Sequence, residues 1–425
     1  MSALLVFSLT CILAVPHASA QTMHSPTTMP TARAEAVGMS TDGLSRIDEA
    51  MQNHIDAGHI QGAVTIVARR GKVVHFSTHG EMDVSKSRAM ESDAIFRMAS
   101  STKPVLGAAA MMMIEEGLIQ PSDPVSKYIP EFADLKIAVL ATPEDRNISP
   151  AWVNLKNVPD HRLVPLDTPL TIHHLLTHTS GIMSGGLGAA VNPSVKHTKG
   201  ETLASYVPQL AKVPLDFQPG TRWSYSPRTG LDVVARIIEI VSRTPFDEFL
   251  RKRIFDPLQM NNSYFNLPFD KESKRVVIRG KSDWAKLKGW GGPTKYFSAS
   301  GGLSSAAEDY LHFEQMLLSG GELFGHRLLR AESVEMMSRN QVGELFIGGR
   351  KGRNGMGFGY TVAVTLDPDA AKNNRGTGAF GWGGAFGTTS WTDPRNQLVA
   401  VIMLQQPHGP TQNDFGKAVR QSIIE

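Results

Sequence analysis

Apolar residues at Leu231, Val233, Val234, Ile237, Ile238 and Val241 follow the three-and-four spacing of a helix with one face in a core, predicting that element over about 229–242. A second pattern, over 101–116, is apolar nearly all round: Ala108 to Ala110, Met111 to Met113 and Ile114, then Glu115 and Glu116, closed by Gly117. These are good helix formers, and the lack of a polar face predicts a buried helix. Further helical segments are expected at about 44–54, 171–178, 201–211, 245–252, 304–318 and 413–424. Runs rich in apolar and β-branched residues predict strands at 63–68, 72–76, 360–366, 388–392 and 398–404. Turns at Arg70-Gly71 and at Asp393-Pro394-Arg395-Asn396 join the first pair and the last pair.

Strands at both ends with helices between them predict an α+β chain. One antiparallel sheet flanked by helices would be built from 39–125 and 291–425, and a mainly helical domain, 126–290, would be inserted in the middle. Residues 21–38 are polar and proline-containing and read as a flexible arm. The first twenty residues carry no charged side chain. Their apolar stretch, Leu4 to Val15, ends in His17-Ala18-Ser19-Ala20, the small-residue pattern of a signal-peptidase site, although no basic residue precedes it. The expected location is therefore periplasmic or secreted. The single cysteine, Cys11, lies in that leader, so a processed chain has no thiol for a disulfide, a thiolate metal site or a cysteine nucleophile. A net charge of +3, spread evenly, gives no argument for a nucleic-acid partner, and none is expected; no later segment is long and apolar enough for stable membrane insertion. The oligomeric state is left open.

Three short stretches carry candidate chemistry. In Phe96-Arg97-Met98-Ala99-Ser100-Ser101-Thr102-Lys103-Pro104, a serine at a helix N-terminus is followed three residues later by a lysine, which puts both on one face. Serine hydroxyl is a poor nucleophile until a neighbouring base takes its proton, and a desolvated lysine can do so. No G-x-S-x-G elbow competes with this pair. In Trp223-Ser224-Tyr225-Ser226-Pro227, a phenol on a connection entering a cleft can relay a proton. In Gly381-Trp382-Gly383-Gly384-Ala385-Phe386-Gly387, clustered glycines before a strand let a main-chain amide approach a carbonyl. Read singly, each stretch also fits a cap, a packed loop or a glycine-rich turn. His173, His174 and His178 invite a metal reading, but no zincin glutamate or third ligand accompanies them, and capping and packing are the expected roles.

Taken in order, Ser-x-x-Lys, Tyr-Ser and Trp-Gly-Gly resemble the family VIII carboxylesterases, relatives of class C β-lactamases and D-alanyl-D-alanine peptidases. The stretches Leu175-Leu176-Thr177-His178-Thr179-Ser180-Gly181, Phe255-Asp256-Pro257-Leu258-Gln259-Met260 and Gly301-Gly302-Leu303-Ser304-Ser305 extend the likeness over about 40–405. The resemblance implies a β-lactamase-like transpeptidase fold. It implies Ser100 as nucleophile, with Lys103 sharing a proton network with Tyr225, which serves as base and then acid. The main-chain amides of Ser100 and Ala385 would form an oxyanion hole, and Trp382, Gly383 and Gly384 would line the substrate site. No metal and no cofactor are implied. Where lactamases carry Tyr-x-Asn, this sequence has Tyr225-Ser226-Pro227, and where they carry Lys-Thr-Gly it has Trp382-Gly383-Gly384. Losing that cation removes a partner for a substrate carboxylate, roughly 1.5–3 kcal/mol or about ten- to a hundredfold in binding. The expected substrate is a short- to medium-chain neutral carboxylic ester, with weak β-lactam hydrolysis beside it. The alternatives are a lactamase or D-amino-acid peptidase, or an acyltransferase.

Overall fold

A computed structural model of the chain describes residues 28–142, 157–192, 195, 198–279, 294–347 and 354–424. The apolar runs near the two ends pair with each other. Strands β1 (Gly62–Arg69), β2 (Lys72–Asp83), β3 (Arg88–Ala89), β4 (Met356–Phe358), β5 (Ala363–Thr365), β6 (Phe380–Gly381), β7 (Thr389–Asp393) and β8 (Leu398–Met403) form one sheet. Its order is β4-β5-β6-β7-β8-β1-β2-β3, antiparallel throughout. The seam between the two halves of the chain is β1 against β8, with Val64 opposite Met403 and Ala68 opposite Val399.

Alternation along these central strands feeds two cores. Val64, Ile66 and Ala68 of β1, with Val399, Val401 and Met403 of β8, enter the larger core. There they meet the helices Lys103–Glu115, Gly230–Ser242 and Ala307–Leu318. Ala63, Val67, Leu398, Ala400 and Ile402 point to the other face, covered by Leu44, Ile47 and Met51 of helix Thr41–Asp56 and by Phe415 and Val419 of helix Gly409–Gln421. Both faces are thus buried, which is why β1 and β8 read as continuous apolar runs. Helix Lys103–Glu115 is buried from Lys103 through Met113, as its all-round apolar pattern predicts.

The structure departs from the expectations in several places. Residues 28–38, expected as part of a loose arm, are fixed: Met29, Ala34 and Val37 are buried, and the Ala32 and Val73 amides donate to Val73 and Pro30 carbonyls. Three apolar anchors outweigh the polar composition. The strand expected over 360–366 is confined to Ala363–Thr365, because Thr361 takes a left-handed φ of 68° and the chain turns back to β4. The helix expected from 413 begins at Gly409, with a proline in its first turn where no amide donor is needed. A two-stranded ladder, Lys136–Leu140 with His161–Pro165, stands within the stretch expected to be mainly helical. The leader reading of residues 1–20, with Cys11, lies outside the described residues. Among the described residues no helix is long and apolar enough to cross a membrane.

A buried carboxyl fastens helix Ala307–Leu318 to the sheet. Glu314 accepts hydrogen bonds from Ser390 Oγ at 2.5 Å and Thr392 Oγ1 at 2.6 Å, both on β7. Burial pushes its pKa up, opposed by those hydroxyls and by Arg375. Thr392→Val removes one donor and leaves a buried carboxyl oxygen short of a partner, so we expect a loss of roughly 1.5–3 kcal/mol in urea denaturation. The expected kcat at temperatures where both proteins are folded is unchanged.

Candidate active site

Ser100 lies in a 3-10 turn, Ala99–Thr102, that leads into the buried helix Lys103–Glu115, and the residue before it sets its position. Ala99 has φ 44°, a left-handed conformation that costs a residue bearing a Cβ on the order of 1–3 kcal/mol and persists only where the surroundings hold it. They do so from several sides. The Met98 amide donates to Leu303 O at 2.9 Å, Thr102 Oγ1 donates to Ala99 O at 2.7 Å, and Tyr310 OH donates to Ser101 O at 2.7 Å. The Ser101 hydroxyl meets Thr388 Oγ1 at 2.9 Å.

One helical turn on, Lys103 is fully buried, with Nζ 3.1 Å from Ser100 Oγ. It also donates to Ser300 O at 2.6 Å and Pro227 O at 3.2 Å. Tyr225 arrives on the connection preceding helix Gly230–Ser242, and its hydroxyl donates to Ser100 Oγ at 2.7 Å. The Lys103 amine lies 5.0 Å from the centre of the Tyr225 ring. Ser100 and Lys103, paired by their spacing, and Tyr225, joined to them by the resemblance, therefore meet at one oxygen.

Trp382 stands on the far side of Tyr225, with rings 5.6 Å apart and Nε1 donating to the phenol oxygen at 3.4 Å. The Gly384 amide donates to Thr388 O at 2.7 Å, and Gly383 bridges to Thr389. A Cβ on Gly384 would strike Met98 O and Thr388 Oγ1. Only a glycine lets this segment close onto the turn that carries Ser100. Ala385 follows it, exposed to solvent.

The family model described as Beta-lactamase matches residues 47–423. The chain belongs to that family. Protein Rv1367c of Mycobacterium tuberculosis (strain ATCC 25618 / H37Rv) is 31% identical, over 82% of this chain and 87% of that protein. Esterase EstB of Burkholderia gladioli is 28% identical, over 88% of this chain and 94% of that protein. Among solved structures, EstCE1, described as a hydrolase with promiscuous acyltransferase activity, superposes with a TM-score of 0.71 at 24% identity. That alignment covers 89% of this chain and 99% of EstCE1, and it establishes the shared fold.

Within this beta-lactamase-family site, two positioning residues were not legible as such from the sequence. Asp232 is fully buried and accepts from Tyr296 OH at 2.5 Å, Ser298 Oγ at 3.1 Å and the Ser300 amide at 2.9 Å. It thereby fixes the segment whose Ser300 carbonyl holds Lys103. Burial pushes its pKa up to about 6, against the pull of its hydrogen-bond donors. The available signal was an acid set among the apolar residues Leu231, Val233 and Val234 of a core-facing helix. His178 is the second. Burial, reinforced by nearby Lys103, holds it well below its usual range, so the ring is neutral. Its Nδ1 accepts from the Ser226 amide at 3.3 Å, its carbonyl accepts from the Ser224 amide at 3.0 Å, and its ring lies 4.8 Å from that of Tyr225. His173 and His174 lie apart from it. His174 completes the cap at Thr171, and His173 Nδ1 meets Tyr360 OH at 3.1 Å.

The wall behind Tyr225 and Trp382 is apolar. Trp223, Val342, Phe346, Phe358 and Ala363 form a separate buried cluster against which both rings pack, with Phe358 5.4 Å from Trp382 edge to face.

Two outcomes test this geometry. Gly384→Ala forces the segment away from Met98, and we expect kcat on p-nitrophenyl butyrate to fall about a hundredfold and the thermal midpoint to drop by a few degrees, because the clash is with main chain. Asp232→Asn frees the Ser300 carbonyl, with an expected ten- to a hundredfold loss, about, in kcat and a nearly constant KM. The same variant has a pH signature. Folded Asp232 keeps a proton that the unfolded chain releases near 3.8, so its contribution to wild-type stability is full at low pH and declines as pH rises to about 6. Urea denaturation at pH 4.5 and 6.5 should show a drop with rising pH that is smaller in Asp232→Asn.

Proposed function

We propose that the chain is a serine carboxylesterase of the family VIII type, hydrolysing short- to medium-chain neutral esters through an acyl-enzyme on Ser100. One observation carries the reading: Ser100 Oγ lies 2.7 Å from Tyr225 OH and 3.1 Å from Lys103 Nζ. As an ammonium, Lys103 has three N–H donors, matching Ser100 Oγ, Ser300 O and Pro227 O. The two carbonyls can only accept. Lys103 is therefore read as a fixed positive charge beside the phenol, and Tyr225 as the group that moves the proton.

Once the phenol proton that faces Ser100 Oγ has passed to solvent, the Tyr225 oxygen beside the Lys103 ammonium takes the Ser100 proton while Oγ bonds to the ester carbonyl carbon. The carbonyl oxygen becomes an oxyanion facing the amides of Ser100 and Ala385. Collapse breaks the bond to the alcohol oxygen, which leaves with the proton held by Tyr225. Water then gives a proton to Tyr225 and adds to the acyl carbon. Expulsion of Ser100 Oγ releases the acid, and the serine recovers its proton.

The substrate class follows from what surrounds the serine. By the motif resemblance, Trp382 takes the place of the cation that pairs with a lactam or peptide carboxylate, and the apolar cluster behind it suits an acyl or alcohol group. The name of the relative EstB supports an ester substrate. Ser100 and Lys103 come from 39–125, Trp382 and Ala385 from 291–425, and Tyr225 from 126–290, which supports the division into two domains with the cleft between them. Residues 1–20 support export to the periplasm or beyond.

An acyl-chain series of p-nitrophenyl esters, run beside nitrocefin, tests the assignment. We expect kcat/KM on acetate or butyrate to exceed that on nitrocefin by about tenfold or more. Ser100→Ala should abolish turnover, and Tyr225→Phe should lower kcat by about a hundredfold or more with the fold intact. Faster nitrocefin cleavage would reverse the substrate assignment, and wild-type turnover in Ser100→Ala would remove the mechanism.

A further inference from the structure

The helix that follows Ser100 lies on one face of the sheet, and helices Thr41–Asp56 and Gly409–Gln421 occupy the other. On that second face three imidazoles meet that the ester chemistry does not use. His54 lies in the last turn of the first helix, His59 just beyond it, and His408 at the start of the second. His54 Nδ1 is 3.0 Å from His59 Nδ1, and the His59 and His408 rings lie 4.6 Å apart. One ring nitrogen of each lies within 4.8 Å of the other two.

The outer contacts of these rings are also arranged. His54 Nε2 faces Asp414 Oδ2 at 3.0 Å, and His408 Nδ1 faces Thr411 Oγ1 at 2.8 Å. A carboxylate on the far nitrogen of a histidine fixes its tautomer and turns the lone pair of the other nitrogen inward, the arrangement that accompanies imidazole ligands. Here it aims His54 Nδ1 at the cluster. His54 is buried while His59 is exposed, so the group is anchored on one side and open to solvent on the other. A second convergence, Asp48 with His75 and His79, is likewise buried on one side and exposed on the other, but a hydroxyl already holds both of its imidazoles. Thr65 Oγ1 engages both Nε2 atoms, at 2.8 and 2.9 Å.

From this geometry we propose a divalent cation site of the zinc class, ligated by His54, His59 and His408 and oriented by Asp414. Three imidazoles without a thiolate suit zinc, nickel or copper and disfavour magnesium or calcium. A fourth position would be open to water. The ion would tie the first long helix to the last. Because it binds the folded chain and not the unfolded one, it would stabilise the fold without entering ester turnover.

The test uses the whole protein, stripped with EDTA and titrated with zinc chloride alone. We expect one zinc per chain by calorimetry, a thermal midpoint raised by several degrees, no such rise with magnesium, and ester turnover unchanged between stripped and loaded protein. Asp414→Asn should weaken zinc binding about tenfold. His59→Ala changes an exposed side chain, so the protein should fold normally and lose the zinc-dependent rise. Equal zinc binding in wild type and His59→Ala, or no binding by wild type at micromolar zinc, would overturn the site.

Discussion

Burying the Lys103 amine is the constraint on which the rest of the site depends. Removing a cationic side chain from water costs several kcal/mol unless the protein replaces its hydration. Here the acceptors are a hydroxyl and two carbonyls, from Ser100, Ser300 and Pro227. They come from widely separated parts of the chain, so Lys103 is satisfied only when those parts have converged. Folding and assembly of this hydrogen-bonded cluster are thus one event. The carbonyl of Ser300 is held in turn by Asp232 through the Ser300 amide, and Pro227 follows the segment that His178 supports.

The same logic explains where strain is tolerated. Ala99 and His178 both take left-handed backbone conformations, one before the serine and one behind the tyrosine. Each is held by hydrogen bonds from other segments: Thr102 and Leu303 around the first, Ser224 and Ser226 around the second. The glycine at 384 completes the arrangement by subtraction, since the missing Cβ is what allows the β6–β7 connection to reach Met98. The sheet then separates two tasks. Its inner face supports the chemistry, and its outer face gathers the helices near both ends of the chain around a histidine cluster.

Much of this was written locally. Periodicity located helix Gly230–Ser242 and the buried helix after Ser100; β1 and β8 showed as continuous apolar runs because both of their faces are buried, and the start of β2 and most of β7 as β-branched stretches joined to them by turns. Spacing of Ser100 and Lys103 placed them one turn apart for a purely geometric reason, and the resemblance supplied Tyr225, Trp382 and Ala385 as their companions. Short strands such as β4 and β6 left no such trace. Their two or three residues are strands only because neighbours donate to them.

What the sequence could not determine is which distant groups would serve as solvent for which. Nothing local tells Asp232 that it will hold the carbonyl that holds Lys103, or tells residues 28–38 that their few apolar side chains will find a cover. His54 and His59 are separated from His408 by most of the chain, and the pairing of β1 with β8 brings their helices together. Local pattern fixes which side chains leave water; tertiary structure decides what they meet there, because hydrogen bonding and ligation depend on positions in space rather than along the chain.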